Sequence, residues 1–204
     1  VAGINDPASE YHKLRRLYEM IFLYPSLYSD VANEYGALNT NSILMFGPSG
    51  VGKTYVSKAI AGEFKKKTGQ NLTFINAKLS SIMDKWVGNT EKNISKLVQI
   101  AIDRGPSILF LDEIDSLGKS RDLGTGRGYQ IDWVNHLLME LDRIRTSQKR
   151  ILTIACTNSI AFVDSALRRR LGSPVVIPMP NYELRCEIFK IHISRLSPSI
   201  LKEI

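Results

Sequence analysis

The chain has 204 residues, 44% of them hydrophobic and 23% charged, with a formal net charge of +7. Such a length suits one compact domain with a sizeable core and room for the start of a second. No apolar run is long enough to cross a bilayer, and the amino end lacks a charged-then-apolar leader, which excludes a helical membrane span and a secretory signal. A start at Val1 without Met leads us to expect a fragment or a processed chain.

Tyr11, Leu14, Leu17, Tyr18 and Ile21 recur at helical spacing, and Pro25-Ser26 is expected to interrupt that helix. Ser42 to Phe46 reads as a buried strand, and a helix runs from about Lys53, through Val56, Ala59, Ile60 and Phe64, to Gly69. Leu72 to Ile75 predicts a second strand, Ile94 to Ile102 a helix, and Ser107 to Leu111 a third strand ending in acids. A further helix covers about Ile131 to Ile144, followed by a strand over Ile151 to Ala155 and another over Val175 to Ile177. Tyr182 to Arg195 is helical, with Leu184, Ile188, Ile191 and His192 on related faces. Strands that are apolar nearly throughout, alternating with helices, imply an α/β fold with a parallel sheet covered on both faces. Ligands of such sheets collect beyond the carboxyl ends of the strands.

Gly47-Pro48-Ser49-Gly50-Val51-Gly52-Lys53-Thr54 spells G-x-x-x-x-G-K-T between the first strand and the following helix. A structural Gly-rich turn would explain the glycines alone, but not their place at a strand-to-helix junction. Glycines let a loop turn its N–H groups around phosphate oxygens, the helix N-terminus adds a positive dipole end, and Lys53 adds a mobile charge. Thr54 is placed to offer its hydroxyl to Mg²⁺. The strand ending at Leu111 delivers Asp112 and Glu113 to the same edge. Asp112 is expected to hold magnesium through water and Glu113 to polarise the attacking water, although two acids capping a helix would look alike in isolation. Asn158 closes the fourth strand; a lone Asn there is usually a turn residue, and its proposed contact with water or the terminal phosphate depends on the other motifs.

Cys156 and Cys186 are expected to be buried small residues rather than a disulfide or metal pair, with a reducing, cytoplasmic compartment as the default. The basic residues are dispersed except for Lys65-Lys66-Lys67, expected on the solvated end of a helix, and Arg168-Arg169-Arg170. Basicity alone is weak ground for nucleic-acid binding, which this reading disfavours.

The ordered set of the phosphate loop, Asp112-Glu113-Ile114-Asp115, Cys156-Thr157-Asn158 and Asp164 to Arg170 resembles the AAA family within the AAA+ ATPases, over nearly the whole chain. The resemblance implies a three-layer P-loop NTPase sandwich with a five-stranded parallel sheet over residues 1–180, and the start of a small helical lid over 181–204. It implies ATP or ADP bound by Gly3, Ile4, Pro48, Ser49, Gly50, Val51, Gly52, Lys53, Thr54, Tyr55 and His192, with Mg²⁺ at Thr54 and Asp112. Leu23 to Tyr28 resembles the family's segment before the first strand, and Asn158 matches the position called sensor one. Arg169 and Arg170 match arginines that cross to the neighbouring subunit's nucleotide, which makes the catalytic set Lys53, Asp112, Glu113, Asn158, Arg169 and Arg170. Three successive arginines are similar to the katanin, spastin and endosomal-sorting branch, whereas Leu171-Gly172-Ser173-Pro174 departs from the aromatic and charged residues usual there. Lys85-Trp86-Val87-Gly88 matches the first pore loop, in which an exposed aromatic grips an extended polypeptide, and Arg121 to Gly128 occupies the place of a second pore loop. The implied function is an ATP-driven ring motor, hexameric, acting on protein substrates and adaptors through a central pore. A nucleic-acid motor or loader and a non-hydrolysing scaffold are the other readings; the aromatic pore loop counts against the first and the full set of catalytic residues against the second.

Overall fold

The computed structural model describes residues 10–34, 42–82, 89–119, 127–147 and 149–193. Gly3 and Ile4, the Lys85-Trp86-Val87 triplet and the segment 120–126 lie outside the described residues, while Arg127 and Gly128 open a helix rather than continuing a loop.

Five strands form the sheet: β1 (Ser42–Phe46), β2 (Thr73–Lys78), β3 (Ser107–Asp112), β4 (Ile151–Thr157) and β5 (Val175–Val176), in the order β2-β3-β4-β1-β5. Every pairing is parallel, as expected for apolar strands joined by helices. The helices are α1 (Glu10–Tyr18), α2 (Tyr24–Leu27), α3 (Ser29–Glu34), α4 (Lys53–Thr68), α5 (Leu79–Ile82), α6 (Asn89–Asp103), α7 (Ser116–Lys119), α8 (Arg127–Thr146), α9 (Ser165–Leu171) and α10 (Tyr182–Ile193). Among the described residues no helix is long and apolar enough to cross a membrane.

The period-two alternation of a strand sends successive side chains to opposite faces, and that splits the core in two. Ile43, Met45, Ile108, Phe110, Leu152 and Ile154 pack with Tyr18, Phe22, Val56, Ile60 and Phe64 on the side of α1 and α4. Leu44, Leu109, Leu111 and Ala155 face the other way, onto Ile94, Val98, Leu137 and Leu141 of α6 and α8. Three layers result, with β3 and β4 central and sealed from water.

Pro25 does not interrupt the first helical stretch. α1 passes through a π-helical turn (Glu19–Leu23) directly into α2, where Pro25 occupies the first turn; there a missing N–H costs nothing. Tyr18, Phe22 and Phe64 stack in series, with ring centroids 6.2 and 5.3 Å apart, and clamp this stretch onto α4. Lys65, Lys66 and Lys67 lie exposed in the last turn of α4, as the sequence predicts, where they complement the negative end of the helix dipole.

Candidate nucleotide site

β1 and β4 are neighbours in register, with Phe46 opposite Thr157, so the next residues of each strand, Gly47 and Asn158, emerge side by side. Gly47 N–H donates to Thr157 O at 3.3 Å, which extends the ladder by one step before the loop departs. A Cβ on Gly47 would lie 2.2 Å from Ile177 O and 3.1 Å from its carbonyl carbon. Both are backbone atoms, and Ile177 is fixed by its own N–H to Phe46 O at 2.7 Å. Gly47→Ala is therefore expected to destabilise the fold by about 1–3 kcal/mol, the cost of overpacking a closed site, read from the shift of a chemical denaturation curve.

Gly50 and Gly52 have φ of 81° and 91°, the left-handed region that favours glycine, and these two turns fold the loop over the start of α4. No side chain caps that helix at Gly52, so the first-turn N–H groups and the dipole are directed at whatever lies inside the loop. Lys53 is buried, and its ammonium donates to Gly47 O at 2.7 Å, Pro48 O at 2.8 Å and Asn158 Oδ1 at 2.8 Å. Those bonds place the loop lysine and the strand-end asparagine in one constellation, although 105 positions separate them in the chain. Pro48, Ser49 and Tyr55 are exposed, Thr54 is partly so, and Val51 is buried.

Asp112 ends β3 and accepts the Glu113 N–H at 2.9 Å. Glu113 adopts φ of 55°, uncommon for a residue with a side chain. Strain of this kind persists where neighbours enforce it. Here Ile114 N–H donates to Cys156 O at 3.0 Å, and the Thr157 hydroxyl donates to the buried Asp115 carboxylate at 2.9 Å. These bonds pin the acidic turn to β4. The Glu113 carboxylate accepts from Ser80 Oγ at 2.6 Å and pairs with Lys78 Nζ at 3.0 Å. The Ser80 hydrogen bond, then the Lys78 contact, holds its carboxyl below the usual carboxylate range, so the acid is ionised and ready to accept a proton. Cys156, beneath this edge, is buried as expected, and burial pushes its thiol pKa up. Cys186 is only half-buried, on α10, where the sequence reading expected a buried residue.

Lys78 and Ser80 were not legible as site residues. Their only signal is the register that sets Lys78 opposite Asp112, a relation that requires knowing which strands are neighbours. Asp142 was missed for the same reason. It pairs with Arg170 across the α8–α9 contact.

α9 is held at both ends. Asp164 Oδ1 accepts Ala166 N–H at 2.7 Å at its start, and Gly172, with φ of 87°, donates to Arg168 O at 3.0 Å at its close. Leu167 and Leu171 are buried, which turns Arg168 and Arg169 outward, and with Ser173 and Pro174 they border an open basic concavity. The unusual Leu171-Gly172 thus has a local reason: leucine anchors the last turn and glycine ends it. His192 is exposed near the end of α10.

The residues fit a magnesium nucleotide. Among the described residues no group of three or more His, Cys, Asp and Glu could hold a metal by itself. A hard cation here would need phosphate oxygens to complete the one hydroxyl and one carboxylate of Thr54 and Asp112, the usual magnesium arrangement at nucleotides.

A glycine loop closing over a helix N-terminus, with a buried lysine and a strand-end acid pair, defines a P-loop nucleotide-binding protein. Residues 43–179 match the family model described as "ATPase family associated with various cellular activities (AAA)". The chain belongs to this AAA family of ATPases, which establishes the expected fold and nucleotide chemistry. It is 35% identical over 158 residues to vacuolar protein sorting-associated protein 4B of Mus musculus, spanning 78% of this chain and 34% of that one. It is 38% identical over 173 residues to the cell division cycle protein 48 homolog of Archaeoglobus fulgidus, spanning 83% of this chain and 22% of that one. The crystal structure of the FIGL-1 AAA domain in complex with ADP superposes with a TM-score of 0.71 at 30% identity, covering 94% of this chain and 60% of that one. The chain therefore spans about a third or less of these two curated relatives.

Proposed function

We propose that this chain is the ATP-hydrolysing module of a cytoplasmic ring motor, a homo-hexamer that unfolds, disassembles or remodels protein substrates delivered by adaptors. The observation that carries the reading is the meeting of Lys53, Asn158, Asp112 and Glu113 at one sheet edge. In this reading the loop amides and Lys53 bind the phosphates, Asn158 orients the terminal phosphate or the attacking water, and Glu113 accepts the water's proton. Magnesium, held by Thr54 and Asp112 with phosphate oxygens, supplies charge neutralisation on the transferred group. Gly3, Ile4, Tyr55 and His192 are assigned to the base and ribose side. Residues 1–180 form the nucleotide subdomain and 181–204 the start of a helical lid.

Arg169 and Arg170 are assigned to the nucleotide of the adjacent subunit. Because the chemistry is then split between two chains, specific ATPase activity should rise with protein concentration. Turnover per subunit that stays at the assembled rate on dilution to monomer would contradict the shared site. Lys85, Trp86 and Val87 are assigned to gripping substrate polypeptide, the aromatic ring inserting between side chains. Trp86→Ala is expected to lose processing of an unfolded reporter protein by far more than it loses ATP turnover. Equal losses of both would remove the residue from that role.

A further inference from the structure

Away from the nucleotide edge, a cavity of about 540 Å³ lies between α1 and α4. Leu14 and Tyr18 of α1 and Val56, Ala59 and Ile60 of α4 form its walls. Its α4 side continues at helical spacing through Glu63 and Lys67, so one face of that helix is apolar near the loop and charged further along.

Tyr18 is 0% exposed, yet among the described residues its hydroxyl has no hydrogen-bond partner. Buried hydroxyls seldom go without one, and each such group calls for a physical reason. Burial, then the nearby charges of Glu63 and Glu19, raises its pKa, so the group is a neutral donor. The rim is basic in balance. Arg15 pairs with Glu19 at 3.1 Å and with Glu63 at 3.5 Å, which leaves Lys66 and Lys67 as exposed cations beside the opening.

Apolar walls, a waiting hydroxyl donor and uncompensated lysines ask for one kind of occupant. We propose that the α1–α4 cavity is a second ligand site, separate from the phosphate loop, that takes a small amphipathic anion. Its apolar body would lie against Leu14, Val56 and Ile60, with an oxygen acceptor reaching Tyr18 and an anionic group facing Lys66 and Lys67. The volume matches that of small-molecule pockets, roughly 300–1,000 Å³, and both walls are packed helices, so the site is largely preformed.

Isothermal titration with a hydroxynaphthoate, an anion with a flat apolar body and a phenolic oxygen, tests this on the whole chain with and without saturating Mg·ADP. One saturable site is expected, unchanged by ADP. Reversing both lysines (Lys66→Glu with Lys67→Glu) should weaken it at least about tenfold, equivalent to 1.4 kcal/mol. Ala59→Trp, which fills the cavity without changing charge, should abolish it. Tyr18→Phe should weaken binding severalfold while leaving the melting temperature unchanged or raised, since no bond is lost from the empty protein. If Ala59→Trp fails to fold, a crystal soak of the unaltered protein locates the probe. Displacement by ADP, full affinity in the lysine double variant or in Tyr18→Phe, no saturable binding, or density elsewhere than between α1 and α4 would overturn the proposal, and none of these bears on the ATPase assignment.

Discussion

Glu113→Gln is expected to lower ATP turnover by about 10²–10⁴-fold, the contribution of a positioned general base, while ATP affinity stays within a few-fold of the unaltered chain. The amide keeps the shape and the contact with the Ser80 hydroxyl at 2.6 Å, but it cannot accept the water's proton. Binding survives because the groups assigned to it, the loop amides and Lys53, lie on another strand end and are held by Gly47, Pro48 and Asn158. Misfolding is a poor explanation for such a loss. Glu113 is partly exposed and its bonds with Lys78 and Ser80 sit at the surface, where such pairs contribute under about 1 kcal/mol. Fluorescent-nucleotide titration and phosphate release, measured on the same sample with a melting curve, decide the matter. Hydrolysis at the unaltered rate would take Glu113 out of its assigned role, and equal loss of binding and turnover would point to the loop rather than to the base.

The layout of this edge was legible where the chain encodes it locally. β3 and β4 are apolar on both faces because both faces are buried, so Ser107 to Leu111 and Ile151 to Ala155 read as strands without ambiguity. The phosphate loop is fixed by glycines whose positive φ only that residue tolerates cheaply. β2 was harder. Its residues Phe74 and Ile75 are partly exposed at the sheet edge and its last turn is polar, so the strand runs on to Lys78 beyond the apolar stretch that announces it. α6 likewise starts at Asn89, before the first buried position at Ile94 or any apolar periodicity. Contacts between distant segments were not legible at all. The Lys78 and Ser80 contacts with Glu113, and the pairing of Asp142 with Arg170, depend on which strands and helices lie side by side, and no local pattern carries that information.

Arg169→Ala is expected to reduce the turnover of assembled protein by about 10³-fold or more, the range for an arginine that neutralises charge in phosphoryl transfer, with little effect on nucleotide binding by the subunit that carries it. The two candidate fingers are not equivalent in geometry. Arg170 is engaged within its own chain, its guanidinium on Asp142 and its carbonyl accepting from Ser42 Oγ at 3.3 Å. Arg169 stands exposed at the rim of the basic concavity, and reaching a neighbouring nucleotide would break no intrachain pair of its own described here. Arg170→Ala should therefore have two effects: a lower rate, and a small loss of stability below about 1 kcal/mol, since the pair it breaks is partly exposed. A mixing experiment isolates action between subunits. Arg169→Ala and Glu113→Gln chains are each expected to be nearly inactive alone. In mixed rings, however, some sites combine an intact Glu113 from one chain with an intact Arg169 from the next. Turnover should reappear on mixing and pass through a maximum near equal proportions. A mixture as inactive as its parts would mean that Arg169 works within its own chain or does not act on the nucleotide.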